Sequence, residues 1–395
     1  MRKLGLLLFA LLQAAGVQAQ EAKPTTVVVL GVDHAAQLVA RNDSPALLDA
    51  FLDKLDPDAI CIERSPEAFA RGDYYDFTYE VQDLVVPMAR REGIELCAMD
   101  WMPPAEDMKL GFGLDLEAPP ELRPAKGYAQ FLSFERPSLG RDLFHADDAK
   151  NLDRVIRWAA TPAAKTKDDL ARRLYLYRTY MQAKRVAAAA RAHPGGTVAV
   201  VVGEFHKHDI EAILKDDPAI TLVQPSSLGR PSEAEAKAHD RREYQVAIAR
   251  FNLLGAQAAT GVVDFDYVRA AVEALEAQGD AAETRLLRVR LDLLQQRIGR
   301  KEAIAQYKAI AAGAGKAEFS WNGVKDKARV DSYFDPYGNL NVRQRALLEA
   351  ARESHALGDK AQALKLRDEC AGELTARQRA QLLAYWERDT AVATK

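Results

Sequence analysis

Two segments, TTVVVLGVDHAAQ (25–37) and TVAVVVGEFHKHD (197–209), constrain this chain more than anything else in it. Each is a run of apolar, mostly β-branched residues, then a glycine, two residues and a histidine. β-Branched side chains suit the pleated surface of a strand. A strand that is apolar on both faces must be covered on both faces, as in parallel sheets flanked by helices. DAICIE (58–63) and IELCAMD (94–100) read as two further strands of this kind, and ITLVQP (220–225) as a last one.

Helical patterns lie between these runs. SPALLDAFLDKL (44–55) places Ser44 as N-cap and Pro45 at the first helical position. YEVQDLVVPMARREG (79–93) reads as a helix closing at Gly93. The Pro- and Gly-rich stretch from 101 to about 142 reads as an irregular insertion or lid. The segment 166–192 reads as a long helix capped by Thr166 with Asp169 three residues on. Its apolar stripe by the helical period is Leu170, Leu174, Tyr177 and Met181, with Arg178 on the flank. An arginine there is either paired in the core or packs its stem while its head reaches water.

From about Ser232 the texture changes, and amphipathic helices follow one another to the end of the chain. LLEAARESHALGDKAQALKL (347–366) carries a Gly358-Asp359 turn between two helices, with Ala363 placed for close packing, and resembles one tetratricopeptide unit. Turns at Gly279-Asp280 and Gly299-Arg300 suggest others. The expected architecture is an α/β domain over 25–228, with a mainly parallel sheet flanked by helices. An all-α helical-hairpin domain over 232–395 follows it, serving as scaffold or as a surface for a protein partner.

The N-terminus carries Arg2 and Lys3, an apolar stretch, and small residues at Val17 and Ala19. This predicts a signal peptide over 1–19 and a secreted or periplasmic protein. The apolar stretch is short for a membrane span, and no later segment is a candidate for one. Net charge is −3, with both signs well mixed, which gives no support to nucleic-acid binding. Of three cysteines, Cys61 and Cys97 sit inside apolar strands and read as small buried hydrophobes rather than as a bridge.

In open α/β sheets, ligands bind at the carboxyl ends of the strands. Those ends carry Asp33 and His34, Glu63 and Arg64, Asp100, and Glu204 and His206. Three kinds of chemistry suit such a set. His34, His206 and Glu63 could hold a divalent metal (Mn, Co, Zn or Fe) that acidifies a bound water. Without a metal, one imidazole could act as general base, oriented by Glu63 or Asp33. Alternatively the histidines bind a ligand without turnover. Arg178 and Arg64 would hold the glutamate or stabilise an oxyanion, and Tyr74 and Tyr75 would pack or shape the pocket. G-x-S-x-G, H-E-x-x-H, the phosphate-loop motif and C-x-x-C do not occur.

The paired G-x-x-H elements GVDH (31–34) and GEFH (203–206), with the strand-end glutamate of ICIERSPEAF, resemble the superfamily of erythromycin esterase, the haem-binding ChaN proteins, and the TraB and Tiki proteins. In that group a G-x-x-H follows the first strand, a glutamate ends the second, and another G-x-x-H follows a long helix bearing an arginine. The resemblance puts those roles on His34, Glu63, Arg178 and His206, and the third-strand aspartate on Asp100. It covers roughly residues 25 to 225. It implies a hydrolase acting on a peptide or ester through activated water, with or without a metal, or a haem carrier. The helical C-terminal region and the Glu204 inside the second motif depart from the pattern.

Overall fold

The computed structural model describes residues 23–113, 120–124 and 131–392. The expected leader over 1–19 lies outside them. Five strands form one all-parallel sheet: β1 (Thr25–Val32), β2 (Ala59–Ile62), β3 (Glu95–Ala98), β4 (Thr197–Gly203) and β5 (Ile220–Leu222). Their order is β3-β2-β4-β1-β5.

Alternate side chains of the sheet go to opposite layers, as strand geometry requires. Val28, Leu30, Ile60, Ile62 and Val201 pack under the helices Pro45–Leu55 and Val86–Glu92. Val27, Val29, Cys61, Val200 and Val202 pack under Leu170–Ala192 and Glu204–Leu214. The chain thus leaves β1 and β2 over one face, and reaches and leaves β4, which lies between them, over the other. That reversal opens a crevice at the carboxyl ends of the three central strands.

Several local expectations are met. Ser44 accepts from the Leu47 N–H with Pro45 at the first helical position. Gly93 closes its helix with φ +75°. The helix before Gly93 begins differently, because Pro87 contributes no N–H to the turn before it. That turn, Glu80–Val85, is wound as a π-helix, a form that often marks functional sites.

Three expectations are corrected. Cys61 and Cys97 form a disulfide: they are register partners across β2 and β3, with Cα atoms 4.2 Å apart. Thr166 does not cap the long helix; a short 3₁₀ turn, Thr166–Asp169, precedes it, and Asp169 accepts from Ala163 N and Arg172. The stripe is also rotated. The buried face carries Tyr175, Thr179, Gln182, Ala183, Val186 and Ala187, while Tyr177 is half exposed. Polar groups occupy the first half of that face because they meet the strand ends, and alanines the second half because they meet the sheet.

The helical region runs from Arg242–Leu253 to Ala376–Val392. It includes the hairpin of Val342–Ala356 and Lys360–Ala371, which turns at Gly358 with φ +85°. Before Arg242, a short helix, Glu233–Ala238, starts on a Ser232–Glu235 capping box. The core of this region is continuous with the turn that follows β1: Ala35, Ala36, Leu38 and Val39 are buried in it. Asn252 donates to the Leu38 carbonyl at 2.7 Å and Tyr267 to the Gln37 carbonyl at 3.0 Å. Among the described residues, no helix is long and apolar enough to cross a membrane.

Candidate active site

Glu63 leaves the end of β2 and is the hub of the site. One carboxylate oxygen accepts from Arg178 Nη2 at 2.7 Å, and the other from the Gly203 N–H at 2.6 Å. His34 Nε2 lies 3.4 Å from it and His206 Nε2 3.9 Å. The segments following β1, β2 and β4 therefore converge as the sequence predicts. Neither motif glycine has room for a side chain. A Cβ on Gly203 would stand 2.9 Å from His34 Nε2, and one on Gly31 would stand 2.7 Å from the Ala146 Cβ.

His34 is held from both sides. Its Nδ1 meets Glu80 at 2.7 Å while its Nε2 faces Glu63. Glu80 also accepts from the Ala35 N–H at 3.0 Å. Ala35 has φ +64°, a left-handed conformation that costs energy for any residue with a Cβ; the Glu80 bond and the helices packed over it hold it there. Burial alone would lower the His34 pKa, but the carboxylates of Glu80 and Glu63 outweigh it and raise it well above its ordinary value. Both ring nitrogens of His34 thus face carboxylates, a setting that favours its charged form. Burial alone would raise the Glu63 pKa, but Arg178 and His34 hold it well below the usual carboxylate range.

His206 has the opposite setting. It sits on the first turn of the helix Glu204–Leu214, stacked on the Tyr175 ring at 5.0 Å. Its Nδ1 is 2.6 Å from Thr179 Oγ, and that hydroxyl donates to the Tyr175 carbonyl at 2.9 Å. A hydroxyl that has donated its proton can only accept, so the hydrogen of His206 is on Nδ1 and its Nε2 carries a bare lone pair. Burial, only partly offset by Glu63, lowers the His206 pKa to about 4.

Arg178 is paired rather than snorkelling. Its Nε and Nη2 bond to Asp100 at 2.7 Å each, and Nη2 to Glu63 as well. Asp100 also accepts from Gln182 at 2.8 Å and from the Tyr75 hydroxyl. No described residue accepts from Nη1. Arg178 lines a cavity of about 680 Å³ shared with His206, Phe112, Leu152, Trp158 and Tyr175.

Three of the other expected residues stand apart. Glu204 turns away to Arg141 at 2.6 Å. Asp33 lies in the same side cluster, where burial, opposed by Arg141, raises its pKa. Arg64 does not reach Glu63; its guanidinium lies over Tyr75 and Tyr74. Sequence reasoning missed Glu80, Thr179 and Gln182. Thr179 and Gln182 lie one and four residues beyond Arg178 and were legible as polar residues on its flank. Glu80 was legible as a carboxylate inside an apolar helical run.

Among the described residues, no group of three or more His, Cys, Asp or Glu side chains is gathered so as to hold a metal ion. Both Glu63 oxygens are engaged by Arg178 and Gly203. Fold and site together define an α/β protein with a charged acid–base cluster at the carboxyl edge of its sheet. Compared with family models, with curated proteins and with solved structures, the chain matches none.

Proposed function

We propose that this protein is a hydrolase in which His206 activates water for attack on a peptide or ester carbonyl. The observation that carries the reading is the opposite setting of two imidazoles around one carboxylate, His34 between Glu80 and Glu63 and His206 against the Thr179 hydroxyl and the Tyr175 ring. Pairs of titratable groups driven apart by their surroundings are the usual mark of acid and base roles. His206 Nε2 accepts the water proton, and Glu63 beside it steadies the imidazolium formed. Arg178 lines the cavity where the carbonyl oxygen would gather charge. His34 holds Glu63 in place and supplies positive charge behind it. Phe112, Trp158 and Tyr175 favour a substrate with an apolar or aromatic group next to the scissile bond. The resemblance to the erythromycin esterase, ChaN, TraB and Tiki superfamily agrees with this reading.

One observation favours a second reading. Both imidazoles turn Nε2 toward Glu63, with Nδ1 fixed by Glu80 and Thr179, the outer-shell arrangement common behind metal-ligating histidines. With His34 deprotonated and Glu63 released from Arg178 or Gly203, His34, Glu63 and His206 would hold Mn, Co, Zn or Fe, which would supply an acidified water. Secretion to an oxidising compartment is supported by the Cys61–Cys97 disulfide.

A screen of nitrophenyl esters and fluorogenic peptides with the purified protein tests the proposal. His206→Ala should reduce the best rate by about 10²–10⁴-fold. Equal rates for the two proteins would overturn it. Elemental analysis of the same samples separates the two readings.

A further inference from the structure

Arg64 follows Glu63 in sequence but serves another place. Only 2% of the residue is exposed. Its guanidinium carbon lies 4.4 Å from the Tyr75 ring centre and 5.0 Å from that of Tyr74. Among the described residues, neither its Nε nor its Nη1 has a hydrogen-bond partner. A ring face attracts the charge but offers no lone pair to the N–H groups. Leaving a buried guanidinium unpaired is costly, and such groups ordinarily have a carboxylate or phosphate in reach.

The neighbouring charges do not supply one. Arg71 is paired with Asp73 at 2.7 Å, Arg123 with Asp76 at 3.0 Å and Arg329 with Asp331 at 2.6 Å. Lys325 shares Asp76 with Arg123, at 4.0 Å, so Arg64 is the guanidinium left over. It lines a cavity of about 410 Å³ whose far wall is Gly323, Lys325 and Tyr333 from the helical region. Tyr74 and Phe77 complete an aromatic lining. The volume is that of a small-molecule site.

We propose that this cavity binds a small planar organic anion, with its carboxylate or phosphate on Arg64 and its ring between Tyr74 and Tyr333. The site is separate from the one proposed for hydrolysis: the cavity beside Arg64 and the cavity beside Arg178 and His206 share no lining residue. It stands whether or not the protein turns over a substrate.

Calorimetric titration of the full chain with benzoate, phenyl phosphate and benzyl alcohol tests this. At least one anion should bind saturably and about tenfold or more tighter than the alcohol, as a charged hydrogen bond provides. The ratio of the two anions tells which headgroup is preferred. Arg64→Gln and Tyr74→Ala should each weaken the anion about tenfold or more, and His206→Ala should leave it unchanged. If Arg64→Gln fails to fold, Tyr74→Ala decides alone. Absence of anion binding, equal binding of the alcohol, binding indifferent to both variants, or binding lost in His206→Ala would each overturn the proposal.

Discussion

Thr179 Oγ stands 2.6 Å from His206 Nδ1 and gives its own proton to the Tyr175 carbonyl one helical turn back. This single hydroxyl leaves the free lone pair of His206 on Nε2, the nitrogen on the Glu63 side. Thr179→Val keeps the shape and removes the acceptor. The hydrolytic rate should fall by about tenfold to a hundredfold, with the fold unchanged. Nitrogen chemical shifts of His206 should show the tautomer no longer fixed; an unaltered tautomer and rate would refute the role given to Thr179.

Glu80 acts on the other histidine. Glu80→Gln retains a hydrogen-bonding group but removes the negative charge behind His34. The His34 pKa should drop back toward its ordinary value, because the charge that raises it most is gone. Proton NMR titration of the two buried histidines reads this directly. A His34 titration that does not move would mean Glu63 alone sets its charge.

The two histidines impose opposite pH dependences. The folded pKa of His34 lies above its unfolded value. Its stabilising contribution is therefore complete below about pH 6.5 and lost as pH rises through the folded pKa. The folded pKa of His206 is about 4, below its unfolded value, so stability declines as pH falls from the ordinary histidine range toward that point. Hydrolysis should fail below about pH 4, where Nε2 becomes protonated, and again at alkaline pH as His34 loses its proton. Urea midpoints and rates measured across pH check both limbs.

Gly203→Ala places a methyl group 2.9 Å from His34 Nε2 and 3.1 Å from a Glu63 oxygen. Overpacking of this kind costs about 1–3 kcal/mol. The displaced atoms are those of the site, so activity should fall further than stability. A crystal structure of the variant with Glu63 unmoved and activity intact would contradict this account.

The Cys61–Cys97 bridge closes a segment of 36 residues. Reduction, or Cys97→Ala, should cost about 2–4 kcal/mol. Thermal melts with and without reductant measure it. The free Cys370, buried in the helical region, should not respond.

Much of this site could be read from the chain, for a definite reason. A parallel sheet brings all its carboxyl ends to one edge, so the residue types after each apolar run identify the edge without any knowledge of strand order. His34, Glu63, Asp100 and His206 were found that way. Glu80 was not, since it lies 46 residues from His34 and reaches it only through a π-turn. Thr179 was passed over because the apolar residues of the long helix were assigned to its buried face. In fact Tyr177 faces outward and polar groups face the site. The disulfide was missed although Cys61 and Cys97 occupy the third position of their strands. Recognising it required knowing that β2 and β3 are neighbours in register.

The turn that bears His34 is roofed by helices from the far half of the molecule, with Asn252 and Tyr267 tethered to carbonyls 214 and 230 residues upstream. A ribosome delivers both histidines long before those tethers exist. The turn that positions His34 can therefore take its final form only when synthesis is well past the midpoint.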